Sequence, residues 1–484
     1  MKTSFQPLIQ PEADASVVKH PLALSACFPR LSARLPVTRK QGLWAAAGAT
    51  ALVVAIWLWP GPTLRALILA ATVFYLLSTL YKLLLVRLSV SRGAEIRVAP
   101  EELAALDERD LPVYSILVPL YREPESVANI VAAIAAMDYP KDKLDVQLLL
   151  EEDDSATRAA ADALSLPPGF RVTLVPWSFP RTKPKACNIG LAGARGDRLV
   201  IYDAEDRPEP DQLRKAVAAF RALPPEVICL QCKLNFYNPR QNLLTRWFAG
   251  EYATWFDLSL PGLSAMGAVV PLGGTSNHFS TAALRGLLGW DAYNVTEDCD
   301  LGLRIYRRGG RTRMLDSTTW EEACSSLPYW IRQRTRWLKG YMQTWLVHMR
   351  DPVALWRELG PANFFHVQTL IGGMVFSLWI NPLFWAMALV WFFFRWTALM
   401  ALFPGPVFLA SAFCLFAGNF MFVYLGAIGC YRRRYFDLVK YALAAPPYWA
   451  LMSWGAWRAF GQFFSNPFHW EKTRHGLVRA AKRS

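Results

Sequence analysis

Five stretches of this 484-residue chain carry residue types that could do chemistry. In VTEDCDLGLR, Glu297 and Asp298 follow the strand-like run Trp290–Val295, and a helix signal starts at Asp300. A carboxylate such as Asp298 suits a general base that takes a proton from an acceptor hydroxyl. Asp300 reads as a helix cap. Further on, Gln333, Arg334, Arg336 and Trp337 form a cationic-aromatic cluster. Arginine forks fit a leaving diphosphate, and an indole offers a flat face to a sugar ring. The same Arg–Trp pairing also marks membrane interfaces, so both readings stand.

The other three stretches are upstream. Asp203-Ala204-Glu205-Asp206 places carboxylates where they could share a hard cation, Mg²⁺ or Mn²⁺, that bridges to a diphosphate. Taken alone, this run could equally be a solvated turn. Glu151 and Asp153, in Glu151-Glu152-Asp153-Asp154, could hold a base or a ribose. Lys185, opening Lys185-Ala186-Cys187-Asn188, could contact a phosphate or sugar hydroxyls, or could be an ordinary charged helix start. A base, diphosphate-binding groups and an indole beside apolar segments imply sugar transfer at a bilayer.

The elements that must position these groups read as alternating β and α units. Strands are expected at Val113–Leu120, Asp145–Leu150, Val172–Val175 and Arg198–Tyr202, and helices at Glu125–Met137 and Lys185–Ala194. Such alternation implies a mostly parallel sheet with covered faces, and ligands bind off the carboxyl ends of its strands. Both upstream acidic clusters fall at such ends.

Composition supplies the surroundings. The chain is 53% hydrophobic with 20 Trp, and its apolar residues are clustered into runs. Leu43–Trp59 and Leu64–Val86 each approach the ~20 residues that a bilayer requires, with Pro60-Gly61-Pro62 read as the hairpin between them. Lys82, Arg87 and Arg92 then mark a return to the cytoplasm. Val407–Gly429 is a further span, whereas Val367–Phe394 contains Asn381-Pro382 and Tyr441–Phe464 contains Pro446-Pro447. Either the last run is re-entrant or interfacial, or residues 366–403 hold two short spans split at Pro382.

The net charge of +14 concentrates beside the apolar runs, which fits positive-inside topology and anionic lipid rather than nucleic acid. Cys229 and Cys232 form a lone CxxC without the second pair a zinc ribbon needs, and are expected to be reduced thiols. No secretory signal is expected. The resulting division is a cytoplasmic leader with little fixed structure (1–40), two membrane helices (41–90), a cytosolic catalytic domain (94–345), interfacial and membrane helices (346–464) and a basic cytoplasmic tail (465–484).

Taken in order, VPLYRE (Val118–Glu123), Glu151–Asp154, KACN, DAED (Asp203–Asp206), TED (Thr296–Asp298) and QRTRW (Gln333–Trp337) resemble the membrane-embedded, processive-type family 2 glycosyltransferases. That group includes the cellulose, curdlan, chitin and hyaluronan synthases. The resemblance covers residues 110–345. It implies an α/β GT-A domain, Rossmann-like with a mostly parallel sheet, flanked by transmembrane helices. It further implies Tyr121 and Glu123 at the nucleotide pocket, Glu151 or Asp153 on uridine, and Lys185 on the donor. Asp203 and Glu205 would hold Mg²⁺ or Mn²⁺ and the diphosphate, with Asp298 as base. Glu297, Gln333, Arg334, Arg336 and Trp337 would lie at the diphosphate and the acceptor terminus.

The sequence departs from the family pattern twice, with LEEDD in place of paired Asp followed by Gly and with DAE in place of DxD. The implied reaction inverts a UDP-sugar, with glucose the first choice, onto a growing β-linked polysaccharide at the inner membrane. Export partner subunits are left open, and a cyclic-dinucleotide-binding domain is not expected. The alternative acceptor is a membrane lipid such as diacylglycerol. A transporter or scaffold with a decayed catalytic domain is a third reading, disfavoured by the intact TED and QRTRW.

Overall fold

The computed structural model describes residues 4–10, 17, 19–91 and 93–471. Arg92 and residues 472–484 of the expected basic tail lie outside this set.

Two helices begin the apolar part. The first, α1 (Arg39–Leu58), is capped by Thr38, whose hydroxyl accepts from Gln41 N while the Gln41 side chain returns to Thr38 N. The second, α2 (Pro60–Ser89), starts directly after Trp59. Pro60-Gly61-Pro62 is therefore the first turn of α2 rather than a loop. Proline is suited to that place because a first-turn N–H has no partner inside the helix.

Among the described residues, the α/β domain is built on eight strands in the order β3-β2-β1-β4-β7-β6-β8-β5. They are β1 (Tyr114–Leu120), β2 (Leu144–Glu151), β3 (Phe170–Val175), β4 (Arg198–Ile201), β5 (Arg207–Pro208), β6 (Val227–Phe236), β7 (Asn277–Ser280) and β8 (Arg311–Glu321). The half that carries β3, β2, β1 and β4 is parallel, as the sequence implies. The other half is mixed: β7 runs antiparallel to both β4 and β6, β6 is parallel to β8, and β5 is antiparallel to β8. Strands β2 and β6 are buried along their whole length, and polar residues on them such as Asp145 and Gln231 are hydrogen-bonded inside the fold. Cys229 and Cys232 on β6 are free and buried.

Further helices position the later motifs. They are α3 (Lys183–Gly193), α4 (Leu243–Thr254), α5 (Glu297–Arg307) and α6 (Leu327–His348). Trp290–Val295 is loop rather than strand, and α5 starts at Glu297 rather than Asp300. Asp300 does not cap the helix. It is fully buried, pairing with Arg304 at 2.7 Å and with His348 of α6 at 3.0 Å. His348 Nδ1 lies 2.9 Å from Arg307 Nη1, so the neutral tautomer donates from Nε2 to Asp300. Burial alone would raise the Asp300 carboxyl. Arg304 and His348 outweigh it and hold Asp300 below the ordinary carboxylate range.

Among the described residues, four helices are long and apolar enough to cross a membrane: Arg39–Leu58, Pro60–Ser89, Pro352–Phe394 and Gly405–Arg432. The third runs through Pro382 without ending, so residues 366–403 are not two spans split at that proline. Pro446-Pro447 does not break a helix either. It opens α7 (Pro446–Ser465), which packs along α6 and is not among the four. That arrangement fits the interfacial reading of the last apolar run. The bundle is seated on the domain by close backbone approach. A Cβ at Gly262 would come within 2.2 Å of Leu85 O on α2, so only glycine fits.

The leader is more structured than expected. Within it, Ala23–Cys27 is helical, Pro29–Leu31 forms a 3₁₀ turn, and Leu24, Ser32 and Ala33 are buried against the α/β domain.

Replacing Arg304 by Met should leave Asp300 buried without its main counter-charge. A loss of about 3 kcal/mol of stability is expected. Thermal unfolding of the detergent-solubilised protein would read it, the expected result being a lower midpoint than for wild type.

Candidate active site

The chemistry-bearing residues converge on a cavity of about 650 Å³ at the carboxyl ends of β1, β2 and β4. Tyr121, Glu123, Glu151, Asp203, Glu205, Glu297, Asp298, Gln333, Arg334, Arg336 and Trp337 all line it. Two residues expected there do not. Asp153 pairs with Arg181 to one side. Lys185 is fully buried behind the wall, where its ammonium donates to Ser178 O (3.1 Å) and Pro176 O (3.3 Å) and lies 3.5 Å from Glu151. Lys185 shapes the wall and neutralises Glu151.

At the β1 end, the Tyr121 hydroxyl accepts from Arg181 at 2.7 Å, and its ring lies between the guanidinium groups of Arg122 (5.0 Å) and Arg181 (5.2 Å). The lysine that faces the cavity is Lys183, at the first position of α3. Its ammonium pairs with Asp203 and donates to Gly274 O at 2.8 Å. Burial would depress this ammonium, but the carboxylates of Asp203 and Glu297 outweigh it and push it up. Sequence reasoning chose Lys185 over Lys183. The available signal was Pro184: a lysine just before a first-turn proline sits at the open N-terminal end of the helix, whereas one two residues on can turn inward.

The loop after β4 divides its acids. Asp206 folds back, accepting from Asp203 N at 2.8 Å and from the Thr275 hydroxyl, and so shapes the loop. Its Oδ1 is buried without a partner. Glu205 is pushed well up by burial and by the charges of Asp203 and Glu123. Glu321, at the end of β8 and missed in the sequence, is pushed up by burial and by Asp206, Glu205 and Asp203. Carboxyls crowded this closely resist full ionisation unless a cation joins them. Among the described residues, no three His, Cys, Asp or Glu side chains are already arranged as a metal-ligand set.

On the opposite wall, Glu297 and Asp298 occupy the first turn of α5, where the helix dipole favours negative charge. Asp298 Oδ1 accepts from Cys299 N at 2.7 Å. Burial pushes the Asp298 carboxyl up to about 6. Burial and the Asp298 charge push Glu297 up to about 8. Arg336 faces this pair, donates to Val295 O at 3.2 Å, and keeps a buried Nε without a partner. Gln333 Oε1 is likewise buried and unpartnered. These two groups are positioned to meet a polar ligand.

Arg334 behaves differently. Its fork is bidentate on Glu251 of α4 (2.7 and 2.6 Å) and reaches the Tyr448 hydroxyl of α7 at 3.2 Å. It also lies 4.5 Å from the Trp337 ring. Arg334 thus fixes Trp337 and ties α6 to α4 and α7. Trp470, not singled out in the sequence, also lines the cavity and stacks 4.3 Å from the Arg336 guanidinium.

Docking of α6 sets the position of the Glu297–Asp298 turn. Gln343 Oε1 accepts from Val295 N, Thr344 Oγ1 accepts from Asn294 Nδ2, and Gly340 lies against Thr296. A Cβ at Gly340 would come within 2.4 Å of Thr296 Oγ1.

The eight-stranded, partly parallel sheet with its covering helices has the GT-A fold. Residues 112–340 match the family described as "Glycosyltransferase like family 2". The chain is 26% identical over 235 residues to the "Probable glycosyltransferase YdaM" of Bacillus subtilis, covering 48% of this chain and 56% of the relative. It is 25% identical over 288 residues to the "Beta-monoglucosyldiacylglycerol synthase" of Synechocystis, covering 57% and 59%. It is 26% identical over 251 residues to the "Glucomannan 4-beta-mannosyltransferase 2" of Arabidopsis thaliana, covering 49% and 45%. The match thus spans about half the length of these curated relatives. Among solved structures, a mannosyltransferase from Pyrobaculum calidifontis in complex with GDP-Man and Mn²⁺ superposes with a TM-score of 0.49 at 20% identity, over 83% of this chain and 99% of that one.

Gly340→Ala should push the Thr296–Asp298 turn away from α6. Transfer is expected to fall at least about ten-fold, since small displacements of catalytic groups have effects of that order. Initial rates at saturating donor would measure it.

Proposed function

We propose that this protein is an inverting, membrane-bound glycosyltransferase that moves a sugar, glucose first among candidates, from a UDP-sugar onto a growing β-linked polysaccharide. Its catalytic domain faces the cytosol at the inner membrane. One observation carries this reading. The cavity that holds the carboxylates and Trp337 continues between α2 and the C-terminal apolar helices. There it is lined by Thr72, Ser78, Thr79, Ser377, Asn381 and Ser411, with the rings of Tyr75 and Trp385. Hydroxyls, an amide and aromatic faces suit a sugar chain, which offers hydroxyls at its edge and C–H groups on its faces.

In this reading Asp298 takes the proton from an acceptor hydroxyl as that oxygen attacks the anomeric carbon. The bond to the diphosphate breaks and the nucleotide departs with the electron pair. Lys183 and Arg336 face the diphosphate and stabilise its developing charge. Glu297 is held largely protonated beside Asp298, which keeps the two carboxyls from repelling each other at neutral pH. Trp337, fixed by Arg334, stacks the acceptor terminus. The crowded acids after β4 and the unpartnered Asp206 Oδ1 fit a divalent cation. Mg²⁺ or Mn²⁺ held by Asp203 and Glu205 would supply charge neutralisation of the diphosphate. Tyr121, Glu123 and Glu151 line the side assigned to the nucleotide, with Asp153 and Lys185 acting through Arg181 and Glu151.

A second reading keeps the same chemistry with a lipid acceptor. It is favoured by the position of the cavity among apolar helices and by the similarity to a protein named as a glucosyldiacylglycerol synthase.

Two measurements test the proposal. The base is active only when ionised, and its carboxyl sits at about 6. The turnover rate should therefore rise with pH up to about 6 and level off above it, and Asp298→Asn should lose at least about a hundred-fold. Full activity in that variant would remove Asp298 as the base. In the second, purified protein in nanodiscs receives labelled UDP-sugars with Mg²⁺ or Mn²⁺, and products are separated by size and by solvent extraction. High-molecular-weight product that EDTA abolishes is expected; label confined to the lipid phase would select the glycolipid reading.

A further inference from the structure

The loop Trp290–Thr296, which delivers Glu297 and Asp298, is held from three sides. Lysine-bearing α3 holds one side: the Thr182 hydroxyl donates to Ala292 O at 2.7 Å, and Asn188 exchanges hydrogen bonds with the backbone of Trp290 (2.8 and 2.9 Å). Helix α6 holds the second through Asn294 and Val295. The third side is met by the N-terminal segment that precedes the first apolar helix.

That contact centres on Asp291, which is fully buried. Its Oδ1 accepts from the Ser32 hydroxyl at 2.7 Å, and its Oδ2 accepts from Ala33 N at 2.5 Å. Tyr293 N adds a longer hydrogen bond from within the loop at 3.2 Å. Burial and the nearby Asp300 charge push the Asp291 carboxyl up to about 6, so these donors are what keep it ionised. Ser32 and Ala33 are themselves fully buried, and Ala33 packs in an apolar cluster with Ala292, Tyr293 and Val347. The segment is anchored at both ends. Upstream, Pro21 O accepts from Asn188 at 2.8 Å. Downstream, Arg350 beyond α6 donates to Pro29 O, Arg30 O and Leu35 O, and Gln41 of α1 donates to Leu346 O at 2.8 Å.

We infer that residues 21–41 form an N-terminal brace, and that Ser32 and Asp291 are positioning residues through which the brace sets the placement of the Glu297–Asp298 turn. The reason is geometric. A carboxylate gripped by two donors from one rigid segment has little freedom. Asp291 lies in the same short loop as Asn294, whose Oδ1 accepts from Thr296 N at 3.0 Å at the start of α5. Because the brace continues into α1 through the Thr38 cap, the first apolar helix and the catalytic turn share one continuous connection. The functional part of this inference rests on the reading of Asp298 as base.

The test uses full-length protein in detergent. Ser32→Ala and Asp291→Asn should lower kcat by about ten-fold while donor KM stays within about two-fold, because the groups that bind the donor are untouched. The thermal midpoint of Ser32→Ala should stay near wild type. Amide hydrogen exchange should accelerate in residues 290–298 and remain unchanged in β1 and β2. A wild-type kcat in both variants would overturn the inference. So would unchanged exchange in the loop, or a fall in kcat that merely tracks a falling thermal midpoint. Exchange reads the brace without reference to chemistry. An Asp298→Asn variant that kept full activity would therefore defeat the assignment of the base while leaving the exchange result to stand or fall alone.

Discussion

The arrangement depends on the seating of α6 against the first turn of α5. Neither helix holds the site alone: α5 carries the carboxyls, and α6 carries Arg336 and Trp337. Their meeting is fixed at its far end by Asp300, Arg304 and His348, all buried, with Arg304 and His348 both hydrogen-bonded to Asp300. It is fixed at its near end by the absence of a side chain at Gly340. A buried charge cluster is a poor source of net stability, since desolvation offsets most of its attraction. It does penalise any register but one, because a shift of α6 would take the His348 donor away from the buried Asp300 carboxylate. That penalty matters where two helices must be placed to within a fraction of an ångström.

The same logic governs the charges in the cavity. Acids from the β4 loop, from β8 and from α5 face Lys183 and Arg336, and the shifts follow the neighbours each group meets. Lys183 is pushed up by Asp203 and Glu297, while burial and neighbouring carboxylates push up Glu205 (Asp203 and Glu123) and Glu321 (Asp206, Glu205 and Asp203). The site is left with strong acceptors on one side and donors on the other, already oriented. In the proposed reaction, preorganisation of this kind would spare the cost of turning dipoles as charge moves to the diphosphate.

Much of this was legible in the sequence because it depends on local pattern. The strands β1 to β4 were readable from apolar runs bounded by proline or acids, and the acids at their ends marked the cavity. TED and QRTRW carried their own signal. What escaped depends on contacts between distant segments. The choice between Lys183 and Lys185 turns on which way two residues of one helix face. Asp300 looked like a cap because its partner His348 lies on another helix. Arg334 looked like a phosphate ligand, and only the fold brings Glu251 and Tyr448 to it. The antiparallel insertion of β7 was unreadable because four residues of NHFS hold no periodicity. The leader looked polar and loose because the groups that order it, Asp291 and Arg350, belong to the catalytic half of the chain.

Those long-range contacts have a common direction. Arg334 binds α4 and α7, Gly262 abuts α2, and the leader joins α1 to the loop before α5. Each connects a residue of the catalytic domain to the apolar part of the molecule or to helices packed beside it. A soluble enzyme with a diffusing acceptor has no need of such ties. In the proposed reaction the acceptor end lies in the cavity shared with apolar helices, and the distance between Asp298 and that cavity would have to stay constant while those helices move in their surroundings. The helix that carries Trp337 accordingly has one face toward Asp298 on α5 and another locked to α7, so α6 links the carboxyls of α5 to the helices beside the cavity.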